Sequence, residues 1–274
     1  MAITASDVNK LRQQTGAGMM DCKKALEEAN GDFEQAVDFL RKKGQKVAAN
    51  RQDRDAKEGM VIARVSADGE IGSVVVVNCE TDFVAINADF GTFANTISQI
   101  SIDKKPASIE AFNSLPYNND VTVGDKFIEQ IGKIGEKIEL SYYETIQAPC
   151  VVAYNHPGNK LACIVGFTKK VSDEVGKNIA MQIAAMGPVA VDKDDVDTKT
   201  LERELEIARE VIRAEGKAEE MVEKIAQGKL NKFYKESTLL NQEFIKDNKM
   251  DIRKYLQSID KDLTVTAFKR FQLS

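Results

Sequence analysis

The chain has 274 residues, 43% apolar and 30% charged, proportions of a globular protein with room for one large or two ordinary domains, not of a fibre or a disordered tail. Its net charge of −5 at pH 7 argues against nucleic acid as a default partner, because non-specific binding of a polyanion rests on basic surface. No apolar run approaches the roughly 20 residues needed to cross a bilayer, and no basic-then-apolar targeting segment opens the chain, so a cytoplasmic location without membrane contact is expected.

The first 44 residues spell three short helices. In ITASDV, Thr4 caps the first with Asp7 three positions on, and Ile3 and Val8 occupy the staple positions. That helix stops at Gly16. The second, MMDCKKALEEANG, places Met19, Cys22, Leu26 and Ala29 on one stripe and ends at Gly31. In the third, DFEQAVDFLRKKG, Asp32 caps, Gln35 completes the box, and Phe33, Ala36, Val37 and Leu40 form the stripe before Gly44. Met19 and Met20 cannot both lie in so small a core, since adjacent helical positions diverge by about 100°. One of them is expected at the surface, where methionine adapts to a partner.

Residues 45–58, QKVAANRQDRDAKE, are charged and read as a linker, either solvated coil or exposed helix. A core begins near Gly59. MVIARVS and IGSVVVVNC flank ADGE, a hairpin signal, and DFGTFANTISQI puts Phe90, Phe93, Ala94, Ile97 and Ile100 on one helical face. A second copy follows: CVVAYN and KLACIVGF flank HPGN, and SDEVGKNIAMQIAAM supplies a helix with Val175, Ile179, Ile183 and Met186 on its stripe. Between the copies lie helices near residues 108–115 and 124–134 and the alternating strand KIELSYYETI. After Gly187-Pro188 the charge-dense LERELEIAREVIRAEGKAEEMVEKIAQGKL, interrupted at Gly216, predicts an antiparallel helical hairpin. The closing DLTVTAFKRF predicts a strand returning to the second copy's sheet. The expected class is α+β. It divides into a helical module (1–44), a linker (45–58), core subdomain N (59–140), core subdomain C (141–199 with 260–274), and an inserted hairpin with a connecting helix (200–259).

Chemistry-bearing motifs are scarce. Cys22, Cys79, Cys150 and Cys163 show no CxxC pair or metal spacing and read as reduced, mostly buried thiols. A single histidine, His156, leaves little room for a metal site or a histidine-based triad. Phosphate-loop, nucleophile-elbow and GxGxxG patterns are absent. No catalytic residue, metal or cofactor is therefore expected. The decapeptide NCETDFVAIN at residues 78–87 follows a buried strand, and its acid and aromatic fit a cap, a catalytic carboxylate or a probe. By the residues alone, Thr81 capping a turn with Phe83 and Val84 in the core is the favoured account.

Three stretches resemble the elongation factor Ts family, the guanine-nucleotide exchange factors for elongation factor Tu. These are TGAGMMDCKKALEEANGD at residues 15–32, NCETDFVA at 78–85 and KIGEKI at 133–138. The similarity covers nearly the whole chain in the same order of parts, with a UBA-like (ubiquitin-associated) three-helix bundle first. It implies that Thr81, Asp82, Phe83 and Val84 enter the partner's G domain near its magnesium, with Phe83 as wedge and Asp82 rearranging groups around the phosphates and metal. It further implies that Arg12, Met19, Met20 and Lys23 dock the bundle on that G domain. His156 matches a family histidine near the partner's C-terminal domain, although its turn, NHPGNK, carries a proline that departs from the pattern. The chain stops at Ser274, where some members carry a further helix, so contacts through that helix are expected to be missing. The implied partner is elongation factor Tu, GDP-bound and nucleotide-free, with self-association left open. Two competing classes are a ubiquitin- or nascent-chain-binding module, suggested by the opening helices, and an enzyme built on Glu80 and Asp82.

Overall fold

The computed structural model describes residues 3–119 and 121–274. Three helices come first, α1 (Ala5–Thr15), α2 (Met19–Glu28) and α3 (Phe33–Arg51). In chain order there follow β1 (Glu58–Val65), β2 (Ile71–Cys79), the one-turn α4 (Asp82–Ala85), α5 (Ala88–Lys104), α6 (Ile109–Asn113), α7 (Val123–Ile134) and β3 (Glu139–Gln147). The second half contains β4 (Cys150–Asn155), β5 (Leu161–Phe167), α8 (Asp173–Met186), α9 (Thr198–Ala214), α10 (Glu219–Ser237), β6 (Glu243–Phe244), β7 (Asp247–Asp251), α11 (Ile252–Ile259) and β8 (Val265–Gln272). The strands form sheets of order β1-β2-β3 and β4-β5-β8 and a small β6-β7 ribbon. The fold is α+β, and the closing strand joins the second sheet as its pattern predicts.

Local chemistry sets the helix starts. Thr4 and Asp7 form the full capping box, with Asp7 N–H donating to Thr4 Oγ1 (3.2 Å) and Thr4 N–H to Asp7 Oδ2 (3.0 Å). Asp32 caps α3 by accepting Gln35 N–H (3.0 Å), but the Gln35 amide bonds the same carboxylate (3.4 Å) and does not return to the backbone. Val8, Leu11, Cys22, Ala25, Leu26, Ala29 and Ala36 form the bundle's small core.

Other expectations fail as well. The third helix does not stop at Gly44. It runs on to Arg51, so the first part of the expected linker is helical. Gly44 is buried against α7: a Cβ on Gly132 would lie 2.9 Å from Gly44 Cα, and one on Gly44 would lie 3.0 Å from the Ile128 carbonyl oxygen. The glycine is there to let two helices touch, not to end one. Met19, assigned to the α2 stripe, is 53% exposed, and Met20 is 74% exposed. Both methionines face water, and the buried face of α2 is made by Cys22, Ala25 and Leu26. Met186, at the end of the α8 stripe, is also half in water.

The chain forms two compact units. One comprises the chain up to Ile62 with Val75–Tyr143 and Gln272–Ser274, and the other Ala63–Val74 with Glu144–Phe271. In the first, α5, α6 and α7 cover the sheet through Phe90, Phe93, Ile97, Phe112, Phe127 and Ile131. The second is built on Val165, Phe167, Ile179, Ile183, Leu240 and Leu256. Its hairpin, α9 with α10, has its own narrow seam of Ala208, Ile212, Val222 and Ala226, flanked by ion pairs of Arg209 with Glu223 and Arg213 with Glu219.

Gly132→Ala should lower stability by about 1–3 kcal/mol, as overpacking does, even though alanine is the better helix former. Urea unfolding measures this, and an unchanged midpoint would show that α3 and α7 can separate without cost.

Candidate functional site

The segment after β2 is held by two carboxylates, each of which grips backbone in the other's segment. Cys79, the last residue of β2, is fully buried and points its thiol at the Thr81 carbonyl oxygen (3.2 Å). Glu136 follows Gly135, which ends α7 in the left-handed region at φ 82°. There the Glu136 carboxylate accepts three donors, Glu80 N–H (3.1 Å) and Thr81 N–H (3.0 Å) on one oxygen and the Thr81 hydroxyl (2.6 Å) on the other. In return the Glu80 carboxylate accepts Lys137 N–H (2.6 Å). It also receives Arg51 Nη1 at 2.9 Å from each of its oxygens.

Thr81 then starts α4, its Oγ1 accepting Val84 N–H (3.4 Å). Val84 and Ala85 lean on the sheet's core. Asp82 is exposed, Phe83 is 79% exposed and Ile86 is 81% exposed. The reading of Phe83 as core is thus overturned: Val84 takes the inward direction on this single turn and Phe83 the outward one. Asn87, which caps α5 through Asp89 N–H (2.8 Å), closes the element.

Electrostatics argue against a catalytic acid pair. Burial works against the charge on Glu80, but the Lys137 N–H and the Arg51 guanidinium outweigh it and hold the carboxyl below its ordinary range. A general acid at neutral pH needs the reverse. Burial, with the Glu136 and Glu58 charges adding, pushes the Cys79 thiol up to about 12, so it is no nucleophile.

The docking residues expected on the bundle are all at its surface: Arg12 near the end of α1, Met19 and Met20 opening α2, and Lys23 beside Glu27 (3.8 Å). Lys133 links their surroundings to the tip. Its ammonium bonds Asp89 in the first turn of α5 (3.4 Å) and sits 3.3 Å from where a Gly16 Cβ would be. His156 is exposed in the β4–β5 turn of the second unit, with Nδ1 2.9 Å from the Tyr154 hydroxyl. The sequence reading missed Arg51, Ile86, Glu136 and Lys137. Only KIGEKI pointed at two of them, without assigning a partner. Among the described residues, no group of three or more His, Cys, Asp or Glu side chains could hold a metal ion, and no helix is long and apolar enough to cross a membrane.

A family model described as Elongation factor TS matches residues 80–274. The chain is 51% identical over 273 residues to elongation factor Ts of Christiangramia forsetii, covering 99% of this chain and 98% of that one. With elongation factor Ts of Cytophaga hutchinsonii it shares 53% over 275 residues, 99% of each. With that of Porphyromonas gingivalis it shares 49% over 274 residues, 100% and 99%. These matches place the chain among translation elongation factors. It belongs to the elongation factor Ts family.

Two predictions follow the site's chemistry. Because the folded pKa of Glu80 is depressed, its stabilising contribution is present above about pH 4.5 and is lost as pH falls through the folded value. Urea midpoints against pH should show this acid loss, and Glu80→Gln should flatten part of it. A thiol reagent applied to the native protein should modify half-buried Cys150 first and reach Cys22, Cys79 and Cys163 only on unfolding, which mass mapping of the labelled peptides tests.

Proposed function

We propose that this chain is a guanine-nucleotide exchange factor for elongation factor Tu. It engages the GDP-bound and nucleotide-free forms, has no catalytic chemistry of its own, needs no cofactor or nucleic acid, and acts in the cytoplasm. The observation that carries the reading is Phe83, a large aromatic left 79% exposed on a turn whose backbone is tied down. In this role Phe83 wedges into the partner's G domain near its magnesium site, and Asp82 rearranges groups around the phosphates and metal. Thr81 and Val84 fix the turn. Arg12, Met19, Met20 and Lys23 dock the bundle on the same domain, and His156 meets the partner's C-terminal domain.

The energetics are reasonable. A nucleotide held through magnesium and a phosphate loop leaves slowly, because several charge-assisted contacts break together. By linkage, whatever the factor removes from GDP affinity, GDP removes from the factor's. An acceleration of about 10⁴ requires roughly 5.5 kcal/mol of preferential stabilisation of the release transition state. Burying the Phe83 ring supplies about 1.5–3 kcal/mol, and the remainder falls to the wider interface.

The test loads elongation factor Tu with fluorescent GDP and follows release on adding this protein and excess unlabelled nucleotide. Release at the spontaneous rate would sink the proposal. Phe83→Ala should lower kcat/KM by about 10- to 100-fold, the equivalent of that burial, with an unchanged melting temperature because the ring is already in water. Met20→Asp should raise KM and leave kcat near the native value.

A further inference from the structure

Two helices of the first unit end on the same turn. The last residue of α3 is Arg51, whose guanidinium grips the Glu80 carboxylate, and α7 ends two residues before Glu136, whose carboxylate grips Glu80 and Thr81. The two helices touch through Gly44 and Gly132 with no side chain between them. Arg51 is about two-thirds covered and the Glu80 side chain is only 16% exposed, so this contact is not a solvated surface pair. Glu80 has a further contact as well: its carboxylate accepts the Lys137 amide, which starts the segment leading into β3.

We infer that Arg51 is a positioning residue that couples the three-helix bundle to the exposed tip. It acts through Glu80 and touches neither nucleotide nor partner. The inference rests on the exchange role proposed above. Binding of the bundle to the G domain fixes α3; with Arg51 in place, fixing α3 also fixes residues 80–81, and hence the direction in which Asp82 and Phe83 project. Without Arg51, the bundle still docks, but the tip keeps only its contacts with residues 136–137 and loses its tie to α3, so it enters the partner less often in the productive direction. The signature is therefore a loss in maximal exchange rate with little change in half-saturation.

The experiment measures kcat and KM of GDP release for the full-length protein, Arg51→Gln, Arg51→Lys and Phe83→Ala, with circular dichroism and melting curves on each. Arg51→Gln should lower kcat about tenfold and keep KM within twofold. Arg51→Lys, which keeps a cation within reach of Glu80, should recover most of kcat and remains informative if the glutamine variant melts early. A native kcat in Arg51→Gln, a raised KM with kcat intact, or a lysine variant no better than the glutamine variant would each overturn the inference. Absence of acceleration by the unmodified protein would instead overturn the exchange role itself.

Discussion

The crossed hydrogen bonds between residues 80–81 and 136–137 are the constraint on which the first unit's exposed tip depends. A buried strand that ends abruptly leaves backbone amides without partners, and each costs free energy unless something accepts it. Here Glu136 accepts the amides of Glu80 and Thr81, and Glu80 accepts that of Lys137. Bonds to a charged acceptor contribute roughly 1.5–3 kcal/mol each. Leaving the Phe83 ring in water forgoes about 1.5–3 kcal/mol. The anchor therefore outweighs the penalty of the feature it displays, and the turn can keep an apolar side chain outside without collapsing onto the sheet.

The same anchor explains why the bundle is not a separate bead on a string. α3 is long because Gly44 packs against α7, and its length delivers Arg51 to Glu80. A helix that ended at Gly44 would leave that carboxylate with one backbone amide and no counter-charge. Close helix approach, helix length and the ion pair are three descriptions of one geometric requirement.

What was legible in the sequence was what is local. The capping residues Thr4 and Asp32, the turn at Asp68-Gly69 and all but the end positions of the helical stripes declare themselves within a few positions, and the structure has them. The failures share a cause too. Gly44 carries the same letter whether it stops a helix or admits a neighbour, and only α7, some eighty positions away, decides which. Phe83 and Val84 are both apolar, so hydropathy cannot say which faces in. Glu136 meets Thr81 across 55 positions of chain, a pairing with no periodic trace. Nor did the short β6-β7 ribbon show itself, having too few residues to alternate. The family resemblance pointed to residues 81–84 because it carries information about a partner, which no intramolecular pattern contains.

Rigidity at the tip bears directly on whether an exchange role is energetically reasonable. Ordering four backbone residues costs roughly 4–8 kcal/mol, about the size of the 5.5 kcal/mol that a 10⁴-fold acceleration requires. A flexible tip carrying the same side chains would lose that amount on entering its partner and have little left to loosen a nucleotide. In this chain the ordering is met during folding, by Thr81 in its cap, Val84 against the core, and two carboxylates bonded crosswise. In the proposed role, burial of Phe83 on the partner would then be available in full, which is the advantage of preorganisation. A backbone tied down by these contacts, with Asp82 and Phe83 exposed on it, is the arrangement the proposed insertion requires.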